Sequence, residues 1–413
     1  FPAVNAQRSF AGGVEAVVLV LAPGGAPIQQ ATFLGGSGDD RAFAAAVDPE
    51  GGIYVAGGTT SSNFPLANAW RVSRAGARDA FVARIAPGGA SLSFSTYLGG
   101  ADVERATALA ADAQGVWVAG ETESGDFPLL AAYQSTPGGQ MDGFLARFTK
   151  SGVAVSASYL GGAGADSIRA LALPAAGEVY VAGGTFSANL PVPASGWRPA
   201  PGGGQDGFVL RLNSTAAAVT GGTYLGGSAG AVGDTELAQS LAVAANGDVV
   251  AGGTSPSSNF PLHQAWISAK RGTSMGFVTR LDAGLTQAVW STYVGGGNTD
   301  RGEGVALDAQ GRVYAAGRTF SGDLPLAAPL HDSYRGGGDA FLIVLDGAGA
   351  QQAFGTYIGG ADSDAAIGVR VAPNGDAVVA GLSASQDFPA VNALQTPADS
   401  RPRYFVQVTG MGF

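Results

Sequence analysis

The 413-residue chain contains no cysteine, which excludes disulfides, thiolate nucleophiles and cysteine-held zinc, haem or iron–sulfur groups. Two histidines, His263 and His331, and two lysines, Lys150 and Lys270, are present. Charged residues make up 13% of the chain, against about 25% in ordinary domains. Apolar residues stay at 46%, so neither a disordered charged chain nor a coiled coil fits. No apolar run reaches the roughly 18 residues of a membrane-spanning helix. The net charge of −10 comes without a basic stripe, which disfavours nucleic acid and acidic membrane surfaces as partners. What the chain has in excess is glycine, 67 residues, beside 21 prolines, so long helices are excluded and a soluble, turn-rich β protein is expected. Numbering begins at Phe1 without Met or a signal sequence, and a processed or excised chain is expected.

An aromatic residue, an aliphatic residue and Gly-Gly recur at Phe33 to Gly36, Tyr97 to Gly100, Tyr159 to Gly162, Tyr224 to Gly227, Tyr293 to Gly296 and Tyr357 to Gly360. The spacings are 64, 62, 65, 69 and 64 residues, and the same short elements return in the same order within each. After Gly-Gly comes a polar acidic loop, then a small-residue strand such as Ala42 to Asp48 or Ala106 to Asp112. A turn with Gly51, Gly115, Gly177, Gly247, Gly311 or Gly375 follows, each expected at positive φ. Next come a strand of the type Tyr54 to Gly57, a longer connection with Phe-Pro or Leu-Pro, and a strand such as Asp79 to Arg84. A last strand returns to Gly-Gly. Four short antiparallel strands repeated in this way predict an all-β fold, a β-propeller of four-stranded blades, rather than a solenoid with its shorter modules. Sheets packed face to face account for strands that are apolar on both sides. One propeller domain over 1–413 is expected, with modules at about 1–36 (partial), 37–100, 101–162, 163–227, 228–296, 297–360 and 361–413 (partial).

These modules resemble the SBBP repeat, a bacterial β-propeller family with the approximate pattern T-Y-L-G-G-x-G-x-D, A-x-D-x-x-G-x-x-Y-V-A-G-x-T, F-P, D-A-F-V-x-R. Residues 31–98 carry nearly all of it, in Thr32, Leu34 to Gly36, Asp39, Asp40, Asp48, Tyr54 to Gly57, Thr59, Phe64, Pro65 and Asp79 to Arg84. Departures occur at Met275-Gly276-Phe277 and Arg403-Tyr404-Phe405, where an acid would open the strand. The resemblance implies a propeller, and a set of secreted or surface modules without shared catalytic residues.

Numbered by position in the module, there are six first, six second, seven third and six fourth strands, 25 in all. The chain opens on a third strand, Glu15 to Leu21, and closes on another, Arg403 to Thr409, while Phe1 to Ala6 repeats Phe388 to Ala393 letter for letter. Six blades can be completed from this chain, or seven if about 50 upstream residues are missing. Closure of the last blade by residues 29–35 is expected, with Glu15, Val18, Phe33, Tyr404, Phe405 and Val406 on the closing or assembling strands. An unpaired edge would permit strand exchange between copies.

For chemistry, the acids after Gly-Gly stand out: Asp40, Glu104, Asp166, Asp234, Asp300 and Asp364. Carboxylates suit Ca²⁺, but no EF-hand spacing is present, and short acids also cap turn amides. Trp70, Tyr133, Trp197 and Trp266 share a place in the long connection, where aromatics either pack on the blade edge or stack on sugars. Neither histidine has a triad motif around it. The reading is a non-enzymatic, exported or cell-surface module that binds proteins or its own copies and has no cofactor. A glycan-binding propeller and a hydrolase or lyase with an acidic axial site are the alternatives.

Overall fold

The structure is a computed structural model and describes residues 4–6, 8–22, 27–89, 91–174, 177–228, 235–391, 393 and 403–410. Twenty-five strands are present among them, with no α-helix and one 3₁₀ turn at Pro87–Gly89. Among the described residues no helix is long and apolar enough to cross a membrane. Two compact units emerge, 1–191 with 211–220, and 192–210 with 221–413.

Strands β1 (Ala16–Leu21) and β2 (Ile28–Leu34) form an antiparallel pair. The first blade is β3 (Asp40–Val47), β4 (Ile53–Thr59), β5 (Asp79–Ile85) and β6 (Leu92–Leu98). The second is β7 (Glu104–Ala111), β8 (Gly115–Thr122), β9 (Asp142–Thr149) and β10 (Ala154–Leu160). The third is β11 (Asp166–Ala172), β12 (Val179–Thr185), β13 (Asp206–Leu212) and β14 (Val219–Leu225). The fourth is β15 (Leu237–Val243), β16 (Val249–Ser255), β17 (Met275–Leu281) and β18 (Ala288–Val294). The fifth is β19 (Asp300–Leu307), β20 (Val313–Thr319), β21 (Asp339–Leu345) and β22 (Gln352–Ile358). The sixth, β23 (Asp364–Val371), β24 (Ala377–Ser383) and β25 (Arg403–Thr409), shows three strands among the described residues.

Each sheet runs in chain order, as meandering antiparallel blades do. Blades pack face to face within each unit. In the first unit Tyr54, Ala56, Ala80 and Val82 share a core with Ala106, Val116 and Val118. In the second, Tyr314, Ala316, Ala340 and Leu342 share one with Ala366, Val369 and Val379. Small residues at the contacts let the sheets approach closely. The apolar-on-both-sides reading holds for second and third strands such as β4 and β5, but the first strand is a sheet edge and alternates, leaving Phe43 and Val47 exposed on β3.

Five of the six turn glycines have positive φ, between 79° and 89°. Gly115 is the exception. Its turn is one residue shorter, Asp112 caps the amides of Gln114 and Gly115, and Gly115 instead opens β8 where a Cβ would strike the Phe148 carbonyl.

The expected closure of the last blade by residues 29–35 is corrected. These residues form β2, which pairs with β1 from Ala16↔Leu34 to Leu21↔Ile28, while β25 pairs with β24 alone among the described residues. The third-strand residues of β1 offer β2 a local partner only one turn away, which costs less loop entropy than a distant one.

Candidate functional site

The acids after Gly-Gly open, or immediately precede, the first strand of each blade, and every described one is fully buried. Asp40 accepts hydrogen bonds from the Gly36 amide at 2.7 Å, the Ser61 hydroxyl at 2.8 Å and the Thr59 hydroxyl. Glu104 repeats this with Gly100, Thr122 and Ser124, Asp166 with Gly162, Thr185 and Ser187, and Asp300 with Gly296, Thr319 and Ser321. Asp364 holds the Gly360 amide and Ser385. Asp234 lies outside the described residues. In its module Glu236 takes the capping place, bound to the Gly227 amide and Ser255. Each acid therefore stitches its own Gly-Gly loop to the end of its second strand, and among the described residues no three His, Asp or Glu gather as a metal-binding set.

A second acid, at the head of the third strand, meets the first one. Asp79, Asp142, Asp206 and Asp339 are buried and accept amide hydrogen bonds from the preceding loop. The first glycine of Gly-Gly lies between the two carboxylates: a Cβ on Gly359 would stand 2.8 Å from Asp339 Oδ1 and 2.9 Å from Asp364 Oδ2. At Gly35 the same place is flanked by Asp40 and Glu15, so Glu15 is the third-strand acid of the β1–β2 pair. In the fourth blade Met275 replaces the acid and its sulfur faces the Arg271 amide. Burial pushes Glu104 up to about 7, with the charge of Asp79 adding to the rise and Ser124 and Thr122 opposing it. Burial likewise raises Asp206 to about 7, beside Glu236, and Asp339 to about 6, beside Asp364.

The partners of these acids escaped the sequence reading, yet a signal for them exists. The pattern Thr/Ser-x-Ser-x-Asn/Asp follows each second strand, as in Thr59 to Asn63, Thr122 to Asp126 and Ser383 to Asp387. Its last residue binds the loop amide beyond the second glycine, as Asn63 binds Ser37 at 2.9 Å.

In the first, second, fourth and fifth blades the connection before the third strand lies along the outer edge of the fourth strand, through the bridges Ala67↔Ser95, Leu130↔Ala157, His263↔Ser291 and Ala327↔Gly355. This covers an otherwise bare sheet edge. It also places the loop aromatics. Trp70 packs edge-on against Phe148 at 5.9 Å, beside an open groove of about 550 Å³ lined by Asn68, Ser151 and Val153. Trp266 packs on the core around Trp290, the Trp197 amide bonds the Leu285 carbonyl at 2.9 Å, and Tyr133 is exposed. The four thus serve separate blade edges. His263 is exposed, and its described bonds run through its backbone to Ser291.

On the closing strands, Val18 is buried, and Phe33 is half-buried and edge-on to Phe10 at 5.7 Å. Phe405 packs on Phe388 with the ring centroids 4.7 Å apart and the planes tilted by 37°. Tyr404 is 81% and Val406 48% exposed, and Leu382, directly opposite Tyr404 on β24, is exposed beside them. The residues that match Tyr404 in the other blades, Ala80, Gly143, Gly207, Gly276 and Ala340, are all buried.

Antiparallel four-stranded sheets in chain order, stacked through small-residue faces and stitched by one repeated acid clasp, define a β-propeller. Residues 289–325, from β18 to the connection after β20, match the SBBP family, described as a beta-propeller repeat, in keeping with the resemblance read from the repeated motifs. No curated protein matches the chain. Among solved structures, BamB from Moraxella catarrhalis is 10% identical at a TM-score of 0.40, over 91% of this chain and 93% of that one. A subtype N11 neuraminidase-like protein of a flat-faced bat isolate from Peru is 9% identical at a TM-score of 0.43, over 100% and 97%. Sqt1 from Chaetomium thermophilum is 10% identical at a TM-score of 0.37, over 82% and 80%. These likenesses are too loose to transfer a role.

Proposed function

We propose that the chain is a non-catalytic protein-interaction module, exported or at the cell surface, that associates with its own copies through the outer face of the sixth blade. One observation carries this reading. Where five blades place Ala or Gly on the third strand and bury it, the sixth places Tyr404 and exposes it beside Leu382 and Val406. A tyrosine there adds exposed apolar surface that a solvated face does not need, and it has the chemistry of an interface anchor. The acid series, the strongest catalytic candidate in the sequence, is engaged in loop capping, which supports a structural role for it.

Light scattering over a concentration series tests the reading. The wild type should form higher-mass species, and Tyr404→Lys should shift it to monomer with its melting temperature within about 2 °C of wild type, as expected of an exposed site. A monodisperse wild-type monomer at high concentration overturns the proposal.

A further inference from the structure

A parallel bridge joins the first blade to the second, Arg78 to Val103, and beside it the Glu104 amide donates to the Arg78 carbonyl at 2.9 Å. Arg78 ends the long connection before β5, and Arg105 follows Glu104 on β7, so this one hydrogen bond brings two arginines to the same place. Both line an open groove of about 260 Å³ together with Thr60, Ala77 and Val103. The stem of Arg78 lies over β4, where a Cβ on Gly58 would stand 3.2 Å from Arg78 Cδ. The Arg78 guanidinium makes no ion pair or hydrogen bond among the described residues.

The second blade shows how the chain neutralises such a pair. Glu121, opposite Arg105 on β8, is buried and accepts from Arg105 Nη1 and from Arg169 Nη2, each at 2.8 Å. The matching place in the first blade is Gly58, opposite Arg41, so no acid stands there. Elsewhere in the repeat the positions of Arg78 and Arg105 hold Met141 with Ser167, Ser274 with Arg301, and Gly338 with Ala365, and no other such pair has two arginines. Two acids adjoin Val103: Asp102 precedes it, and the Glu123 amide bonds its carbonyl at 3.0 Å. Both acids are exposed, where water and salt screen them. Two like charges that face one groove without a carboxylate between them repel each other, and a bound anion relieves that repulsion.

We infer that this groove is a binding site for a small organic acid, whose carboxylate takes between Arg78 and Arg105 the place that Glu121 takes between Arg105 and Arg169. A guanidinium presents a planar fork of N–H donors that matches a carboxylate at two points. The groove is larger than a carboxylate alone requires, and Ala77 and Val103 give it an apolar wall for the body of the acid. The site draws on the first two blades alone, whereas the self-association proposed above uses residues of the sixth.

Isothermal titration calorimetry of the full chain with succinate, citrate and D-glucuronate at low ionic strength tests the site. At least one of these acids should bind saturably, with an affinity that falls as NaCl is raised. Arg78→Gln should weaken that binding at least about tenfold, because hydrogen bonds to a charged group are lost. Since Arg78 has no partner within the protein, the variant should melt within about 2 °C of wild type. Arg78→Lys keeps the charge without the fork and should bind with intermediate affinity. D-Glucose, the neutral counterpart of glucuronate, should not bind. No saturable binding of any of the three acids, binding that Arg78→Gln leaves unchanged, or glucose binding equal to that of glucuronate overturns the site. Inorganic phosphate binding as tightly as the best acid would show a site for charge alone and overturn the assignment to an organic acid. Tyr404→Lys should leave acid binding unchanged, so a monomeric wild type that still binds the acid overturns self-association only, and a self-associating one that binds none overturns this site only.

Discussion

At the scale of single residues, most of the specificity lies in polar atoms that had to be buried. A buried hydroxyl or carboxylate is tolerated when each of its lone pairs and protons finds a partner. The fourth-strand tyrosines meet that condition by clamping the connection that follows the second strand. Replacing Tyr97 with Phe leaves the Ser61 carbonyl and the Phe64 amide unanswered in a dry site. The variant should lose about 1–3 kcal/mol by chemical denaturation; a loss near zero would show that water enters the slot. Where both acids are present, as at Gly359 between Asp339 and Asp364, the first glycine of Gly-Gly has an equally specific cause, since no side chain fits between the paired carboxylates. That requirement reads in the sequence as a motif, but its reason depends on Asp79-type and Asp40-type acids that stand far apart in the chain.

At the scale of elements, strand content was legible almost in full. Alternation of aromatic, β-branched and small residues between turn signals located all 25 strands, including β1 and β25 at the two incomplete sheets. The errors fell on turns and edges. Gly115 belongs to a strand because its turn lacks one residue, a difference that the repeat average conceals. The connection before the third strand has a further local feature: Asn68, Ala131, Gln264 and Ala328 all take φ between 45° and 47° just after the bridge to the fourth strand. Asn tolerates this left-handed conformation, whereas Ala is strained there. Ala131→Gly should therefore stabilise the protein by about 0.5–1 kcal/mol, read as a shift of the denaturation midpoint at constant slope. Destabilisation would mean that the Ala131 methyl contributes more by packing than the backbone loses by strain.

At the scale of the whole molecule, the carboxylate pairs confer a pH dependence on stability. Asp206 and Glu104 are raised to about 7 and Asp339 to about 6, chiefly by burial. An acid raised in the folded state binds its proton more tightly there than in the unfolded chain, where its value is 3.8 for Asp and 4.5 for Glu. The folded state is thus favoured fully below about pH 4 by these groups, and that contribution is lost as pH rises through 6 to 7. Opposing slopes come from Asp48 and Asp308, whose carboxylates are buried, which raises them, but whose bonds with Arg84 and Arg312 lower them on balance, so that they favour folding once ionised. Between pH 5 and 8 the raised group dominates, because the lowered acids are ionised throughout. Midpoints of denaturation should fall over that range, and Asp206→Asn should flatten the fall by removing one proton site while its amide oxygen keeps the Gly202 bond. A profile for Asp206→Asn parallel to wild type would show that Asp206 is ionised in the folded protein.

The sequence by itself determined the period, the order of strands within each blade and the all-β class. These follow from short-range rules, in which turn glycines and side-chain alternation act over fewer than ten residues. Tertiary structure alone decided which acid of the Asp234–Glu236 loop takes part in the clasp, why Gly-Gly is required, and that β2 pairs with β1. Burial, pairing of distant carboxylates and the covering of an edge depend on what lies beside a residue in space. The twin segments Phe1 to Ala6 and Phe388 to Ala393 make the point within one chain: their letters are identical, yet Val4 is paired and Val391 is bare.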